Sequence, residues 1–141
     1  MTLAPRVIAL NAAGAALGRR IADGLSVRLE GRAGRVDDAD LEFPNALDHV
    51  RDLFLAGHPV VAVAAAGILI RAVAPVLADK TREPPLIAVS DAGHVVPLLG
   101  GHRGANRLAR EVAEIIGGEA AVTTAGDLAL GVALDLSLIH I

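Results

Sequence analysis

Val60-Val61-Ala62-Val63-Ala64-Ala65-Ala66-Gly67-Ile68-Leu69-Ile70-Arg71 decides the fold. Val60–Ala64 reads as a strand with no polar face, and such strands belong inside a sheet covered on both sides. A turn at Ala65-Ala66-Gly67 leads into a helix near Ile68–Leu77, which Pro75 bends or ends. The apolar stretch Leu53–Ile70 is not a membrane span: His58 and Pro59 interrupt it. The continuous run Val60–Ile70 has 11 residues, short of the roughly 20 that cross a bilayer.

The same alternation extends outward in both directions. Arg6–Leu10 is a strand, followed by a helical pattern from Ala15 to Gly24 in which Ala16, Leu17, Ile21 and Leu25 recur at helical spacing. Ser26–Glu30 reads as a second strand, and Gly31–Phe43 as a solvated loop carrying Asp37, Asp38, Asp40 and Glu42. Asn45 is a candidate N-cap for a helix whose buried stripe is Leu47, Val50, Leu53 and Phe54, with Gly57 as its stop. Leu86–Val89 and Val95–Leu99 are further strands, separated by the turn Ser90-Asp91-Ala92-Gly93. Arg103–Ile116 is the clearest helix, Gly117-Gly118 its cap, and Ala120–Thr123 a last strand. Strands alternating with helices predict an α/β fold: three layers, a mostly parallel sheet with helices on both faces.

Composition narrows the function classes. The chain has 141 residues, enough for one domain with a full core. Apolar residues make up 53% of it but aromatics only 1%, so the core is aliphatic. A net charge of −3 and the lack of stacking aromatics argue against a nucleic-acid binder. The chain has no cysteine, which excludes disulfides, thiol catalysis and thiolate metal sites. Residues 1–25 lack a signal-peptide pattern, so a cytoplasmic protein without membrane partners is expected. The five histidines show no metal-ligand spacing, and no metal is expected. Dinucleotide, Walker, nucleophile-elbow and zinc-protease signatures are all missing.

One segment carries chemistry. Leu98-Leu99-Gly100-Gly101-His102-Arg103-Gly104-Ala105-Asn106 is a glycine turn running into a helix. Its glycines admit a close ligand, and the helix start offers unpaired N–H groups to an anion. The bland alternative is a strand-to-helix turn with incidental polar residues. His102 is either a donor to an anionic group or a proton-transfer group. Arg71 is either a snorkelling side chain or a guanidinium aimed at a carboxylate. Ligands of parallel α/β sheets bind beyond the carboxyl ends of the strands. There the sequence predicts that Gly67 with Arg71, the Gly100–Asn106 turn, and Thr123-Thr124 with Asp127 converge.

These segments carry a resemblance. Val60–Ile68, Arg71-Ala72-Val73-Ala74-Pro75 with Asp79-Lys80, Glu83–Asp91, Leu98–Asn106 with Leu108-Ala109, and Val122–Asp127 follow one another in order and spacing. Over about residues 45–127 the chain resembles the amino-terminal domain of the cobalamin biosynthesis protein CbiG. The resemblance implies an enzyme of corrin ring contraction, a cobalt-precorrin-5A hydrolase that opens the ring lactone and releases acetaldehyde. Its substrate is a tetrapyrrole fringed with acetate and propionate groups, for which the glycine turn with Arg71, His102 and Arg103 suits a carboxylate cradle.

On that reading His102 and Asp127 are the acid/base candidates. Gly67, Arg71, Gly100, Gly101, Arg103, Gly104, Asn106, Thr123 and Thr124 are the substrate-binding ones. Two departures stand out: Gly100 replaces the family's Ser, and Arg103 replaces one glycine. Together with Glu83-Pro84-Pro85 they look like the version fused to precorrin-3B C17-methyltransferase. In that version S-adenosylmethionine serves the partner domain only, and no cofactor is expected in this one. A non-catalytic tetrapyrrole-binding module is a further alternative. Leu136–Ile141 reads as a translated sequencing adapter. The expected domain is therefore residues 1–135, truncated, with further domains after Asp135.

Overall fold

The computed structural model describes residues 3–123. In chain order its elements are β1 (Arg6–Ala9), α1 (Ala12–Leu25), β2 (Leu29–Arg32), β3 (Leu41–Phe43), α2 (Ala46–Ala56), β4 (Val60–Val63) and α3 (Ala66–Val73). They continue with β5 (Leu86–Val89), β6 (His94–Leu99), α4 (Ala105–Ile116) and β7 (Glu119–Ala120). Short 3₁₀ turns follow α3 at Ala74–Val76 and precede α4 at Gly101–Arg103. The strands form one sheet in the order β3-β2-β1-β4-β5-β6-β7.

The alternation of side chains along the strands divides the core. Val7, Ala9, Val61, Val63, Ile87 and Val89 pack with Ile21 and Ala22 of α1 and Ala109 and Val112 of α4. On the other face Ile8, Ala62, Leu86 and Ala88 pack with Val50 and Phe54 of α2 and Leu69 and Ala72 of α3. The result is the three-layer α/β architecture that the alternating pattern predicts. The starts of α1 and α2 have a local cause. Asn11 accepts the Gly14 amide at 3.0 Å and Asn45 the Asp48 amide at 3.1 Å, as N-caps do. Pro75 falls in the 3₁₀ turn Ala74–Val76 rather than inside α3, because it has no N–H for the helix ladder.

Two expectations are corrected, and one pairing runs against the direction of the rest of the sheet. The second strand starts at Leu29, not Ser26, because Ser26 takes the left-handed conformation at φ 59° and the amides of Ser26 and Val27 close α1 against Asp23 and Ala22. The stretch expected as a loop contains β3, paired in parallel with β2. It is pinned by Asp40, which accepts the Leu29 amide at 2.8 Å and Arg19 at 2.6 Å, so this acid is structural rather than merely solvated. Finally, β5 and β6 form an antiparallel hairpin through Ser90–Gly93 in an otherwise parallel sheet. That reversal decides where the candidate residues lie.

Candidate functional site

Because β6 runs against β5, Leu99 pairs with Leu86 and Val95 with Val89. The glycine turn after β6 therefore lies at the end where β1, β4 and β5 begin. Gly67 lies at the opposite end, where β4 stops and α3 starts. Three strand steps at about 3.3 Å each separate the two levels. The expected convergence of Gly67 and Arg71 with the Gly100–Asn106 turn is thus corrected: the hairpin carries the turn away from them. The Arg71 guanidinium bends back one helical turn and donates to the Gly67 carbonyl at 3.2 Å. Asn106 lies half-buried in the first turn of α4. Thr123 is exposed, and β7 runs parallel to β6 toward the end that holds the glycine turn. Thr124 and Asp127 lie outside the described residues.

The turn has the form its glycines require. Gly100 adopts φ 86° and Gly104 φ 90°, both left-handed, with Gly101-His102-Arg103 as a single 3₁₀ turn between them. The Arg103 and Ala105 amides both donate to the Gly100 carbonyl, at 2.9 and 3.2 Å. Gly104 begins α4 with no side-chain cap. Gly100 also sits directly on Pro84 and Pro85, in the loop before β5, where an added Cβ would overlap the Pro85 backbone. The chain thus comes close at a point where only hydrogen fits.

That contact brings in residues the sequence reading did not single out. Arg103 donates through Nε to the Thr81 carbonyl at 3.2 Å, which holds the loop of residues 77–85 against the turn. Asp79 accepts the Thr81 hydroxyl at 2.7 Å and the Thr81 amide at 2.9 Å. Those bonds hold the Asp79 carboxyl below the usual carboxylate range, aided more weakly by the positive fields of Arg82 and His102. His102 itself is exposed and within electrostatic reach of Asp79. A cavity of about 290 Å³ opens beside the turn, lined by Leu3, Gly57, Pro59, Arg82, Pro84, Pro85 and Arg103 among others. Sequence alone could not place Arg82 there, since only the hairpin brings the loop before β5 to the turn after β6.

Two other polar arrangements lie elsewhere. At the ends of β1, β4 and β5, a crevice of about 270 Å³ is lined by Asn11, Ala64, Ala65, Ser90 and Asp91. On the α2 face, buried Glu30 accepts His49 Nε2 at 2.6 Å and is paired with Arg6, while Phe43 stacks on His49 with ring centroids 4.2 Å apart. Among the described residues no group of His, Cys, Asp or Glu could hold a metal ion, and no helix is long and apolar enough to cross a membrane.

Fold and turn together define a doubly wound α/β domain with a glycine-turn edge built from a hairpin's return strand. The pattern of the "Cobalamin synthesis G N-terminal" family matches residues 48–127, which include that edge, and the chain belongs to this family. It is 31% identical over 140 residues to a cobalt-precorrin-5A hydrolase of Salmonella typhimurium, covering 95% of this chain and 40% of that protein. A cobalt-precorrin-5A hydrolase of Priestia megaterium is 35% identical over 86 residues, 60% of this chain and 23% of that protein. Among solved structures, a putative cobalamin biosynthesis protein G homolog from Sulfolobus solfataricus shares the fold with a TM-score of 0.64 at 23% identity. That match covers 89% of this chain and 39% of the other. The chain spans at most about two fifths of these relatives' lengths.

Proposed function

We propose that the chain supplies the amino-terminal domain of an enzyme of cobalamin biosynthesis that hydrolyses a precorrin lactone, with cobalt-precorrin-5A as substrate and acetaldehyde as the released fragment. What supports this most directly is the family match over residues 48–127, which contains the whole Gly100–Arg103 edge, joined to relatives that are cobalt-precorrin-5A hydrolases. The chemistry of the edge agrees with the substrate class. Lactone opening needs a base for the attacking water and donors for the oxyanion that forms.

His102, exposed on the turn, takes the acid/base role, with Asp127 as the second group proposed. Gly100, Gly101, Gly104 and Asn106 bring the start of α4 to the substrate, and Arg103 meets its carboxylates. Thr123 and Thr124 extend the same edge. Gly67 and Arg71, at the other end of the sheet, contact only a part of the macrocycle that reaches past α3.

Gly100 in place of the family's Ser favours a second reading, an accessory domain beside a C17-methyltransferase. A Cβ at this position would overlap Pro85, so a Ser here requires the Pro84-Pro85 loop to lie elsewhere. To test the hydrolase reading, the chain replaces the matched stretch of the Salmonella typhimurium relative. Acetaldehyde released from cobalt-precorrin-5A by the folded chimaera supports it, and a folded chimaera that releases none contradicts it.

A further inference from the structure

The cavity beside the turn holds more than the proposed chemistry uses, which draws only Arg103 from its lining. Most of its lining is apolar, with Leu3, Pro59, Pro84 and Pro85 as the larger side chains. Its remaining polar side chains are two arginines. Arg103 is anchored through Nε on the Thr81 carbonyl, and that bond does not use its terminal N–H groups. Arg82 makes no side-chain hydrogen bond or ion pair with any described residue, although it lines this cavity and the smaller one beside it. That smaller cavity, of about 230 Å³, also carries Asp79 and Glu83. Asp79 bonds Thr81 through one carboxylate oxygen and makes no ion pair with Arg82, which acts on it only as a field. Two guanidiniums in a lining that is otherwise proline, leucine, alanine and glycine suit a ligand with a short alkyl portion and an anionic head. The volume is at the small end for a ligand pocket, so it takes an arm of a larger molecule rather than the molecule itself.

We infer that this cavity, between the start of β4 and the loop before β5, receives an aliphatic carboxylate arm of the ligand, gripped by Arg82 and Arg103. Naming that arm as a precorrin acetate or propionate rests on the proposed function; the subsite itself rests on the cavity. Arg82 is on this account a positioning residue that sets which edge of a polycarboxylate macrocycle faces the glycine turn.

The test uses uroporphyrin, a macrocycle fringed with acetate and propionate arms, titrated into the chain by fluorescence. Arg82→Gln and Arg103→Gln are each expected to weaken binding about tenfold, the size of one lost charge-assisted hydrogen bond. Arg20→Gln, on the exposed side of α1, is expected to leave it unchanged. Amide signals of Leu3 and Gly57 are expected to shift on titration in the parent chain. Equal weakening by Arg20→Gln, or saturable binding indifferent to Arg82→Gln, overturns the subsite. If the chimaera releases no acetaldehyde yet uroporphyrin binding depends on Arg82, the hydrolase reading falls and the subsite stands.

Discussion

A hydrogen atom at position 100 determines how the glycine turn meets the loop before β5. Gly34 and Gly100 share the left-handed conformation, at φ 77° and 86°, but an added Cβ meets nothing within 4 Å at Gly34 and overlaps Pro85 at Gly100. Comparing them separates backbone strain from crowding. Gly34→Ala should cost about 1 kcal/mol, from the strained conformation alone. Gly100→Ala should add about 1–3 kcal/mol of overpacking, read as a larger fall in denaturation midpoint. The buried carboxylate is the other residue-scale test. Burial pushes the Glu30 carboxyl up, but the hydrogen bonds of His49 and Arg6, with their charges, outweigh it and leave it below its ordinary 4.5. A lowered folded value means the unfolded chain binds the proton more readily. The stability Glu30 contributes is therefore present above about pH 4.5 and is lost as pH falls through the lowered value. Glu30→Gln should flatten the acid side of a stability-against-pH curve. Glu30→Ala, which leaves Arg6 and His49 facing a buried gap, should cost about 3–5 kcal/mol.

Elements with a local cause were readable from the sequence, and those with a distant cause were not. Asn45 and Gly57 bound α2 as the sequence predicts, because a cap is a local hydrogen bond. Asn45→Ala should accordingly lower stability by about 1 kcal/mol in a denaturant titration. The fully apolar Val60–Val63 announces a covered strand for the same local reason. By contrast β3 is three residues long, too short for alternation to register, and it exists because β2 supplies a parallel partner and Asp40 fastens its approach. Ser26 escaped notice since a left-handed residue is rarely other than glycine, so nothing in its type marks the end of α1. Ser90-Asp91-Ala92-Gly93 was visible as a turn. That it closes a hairpin, and so reverses β6, depends on which strand β6 chooses to pair with.

At the scale of the whole molecule that single reversal separates two sets of candidate residues. A sheet parallel throughout would have placed Gly67, Arg71 and the glycine turn at one rim, as the sequence suggests. The antiparallel β6 instead sends His102 and Arg103 to the end where β4 and β5 start, beside Pro84-Pro85, Arg82 and Asp79. The motif was legible in full, with its glycines, its histidine and its family resemblance. Its neighbours were not, because Arg82 and Asp79 reach it only through the loop before β5.

The proposed function places lactone opening at this edge, with His102 moving the proton. The measurement that bears on it most directly is acetaldehyde release from cobalt-precorrin-5A by the chimaera carrying His102→Ala, beside the unaltered chimaera and an Asp91→Asn variant in the opposite crevice. His102→Ala is expected to lose about a hundredfold or more, and Asp91→Asn to keep a rate near that of the parent. Release unchanged by His102→Ala, or abolished by Asp91→Asn instead, would move the chemistry to the other end of the sheet.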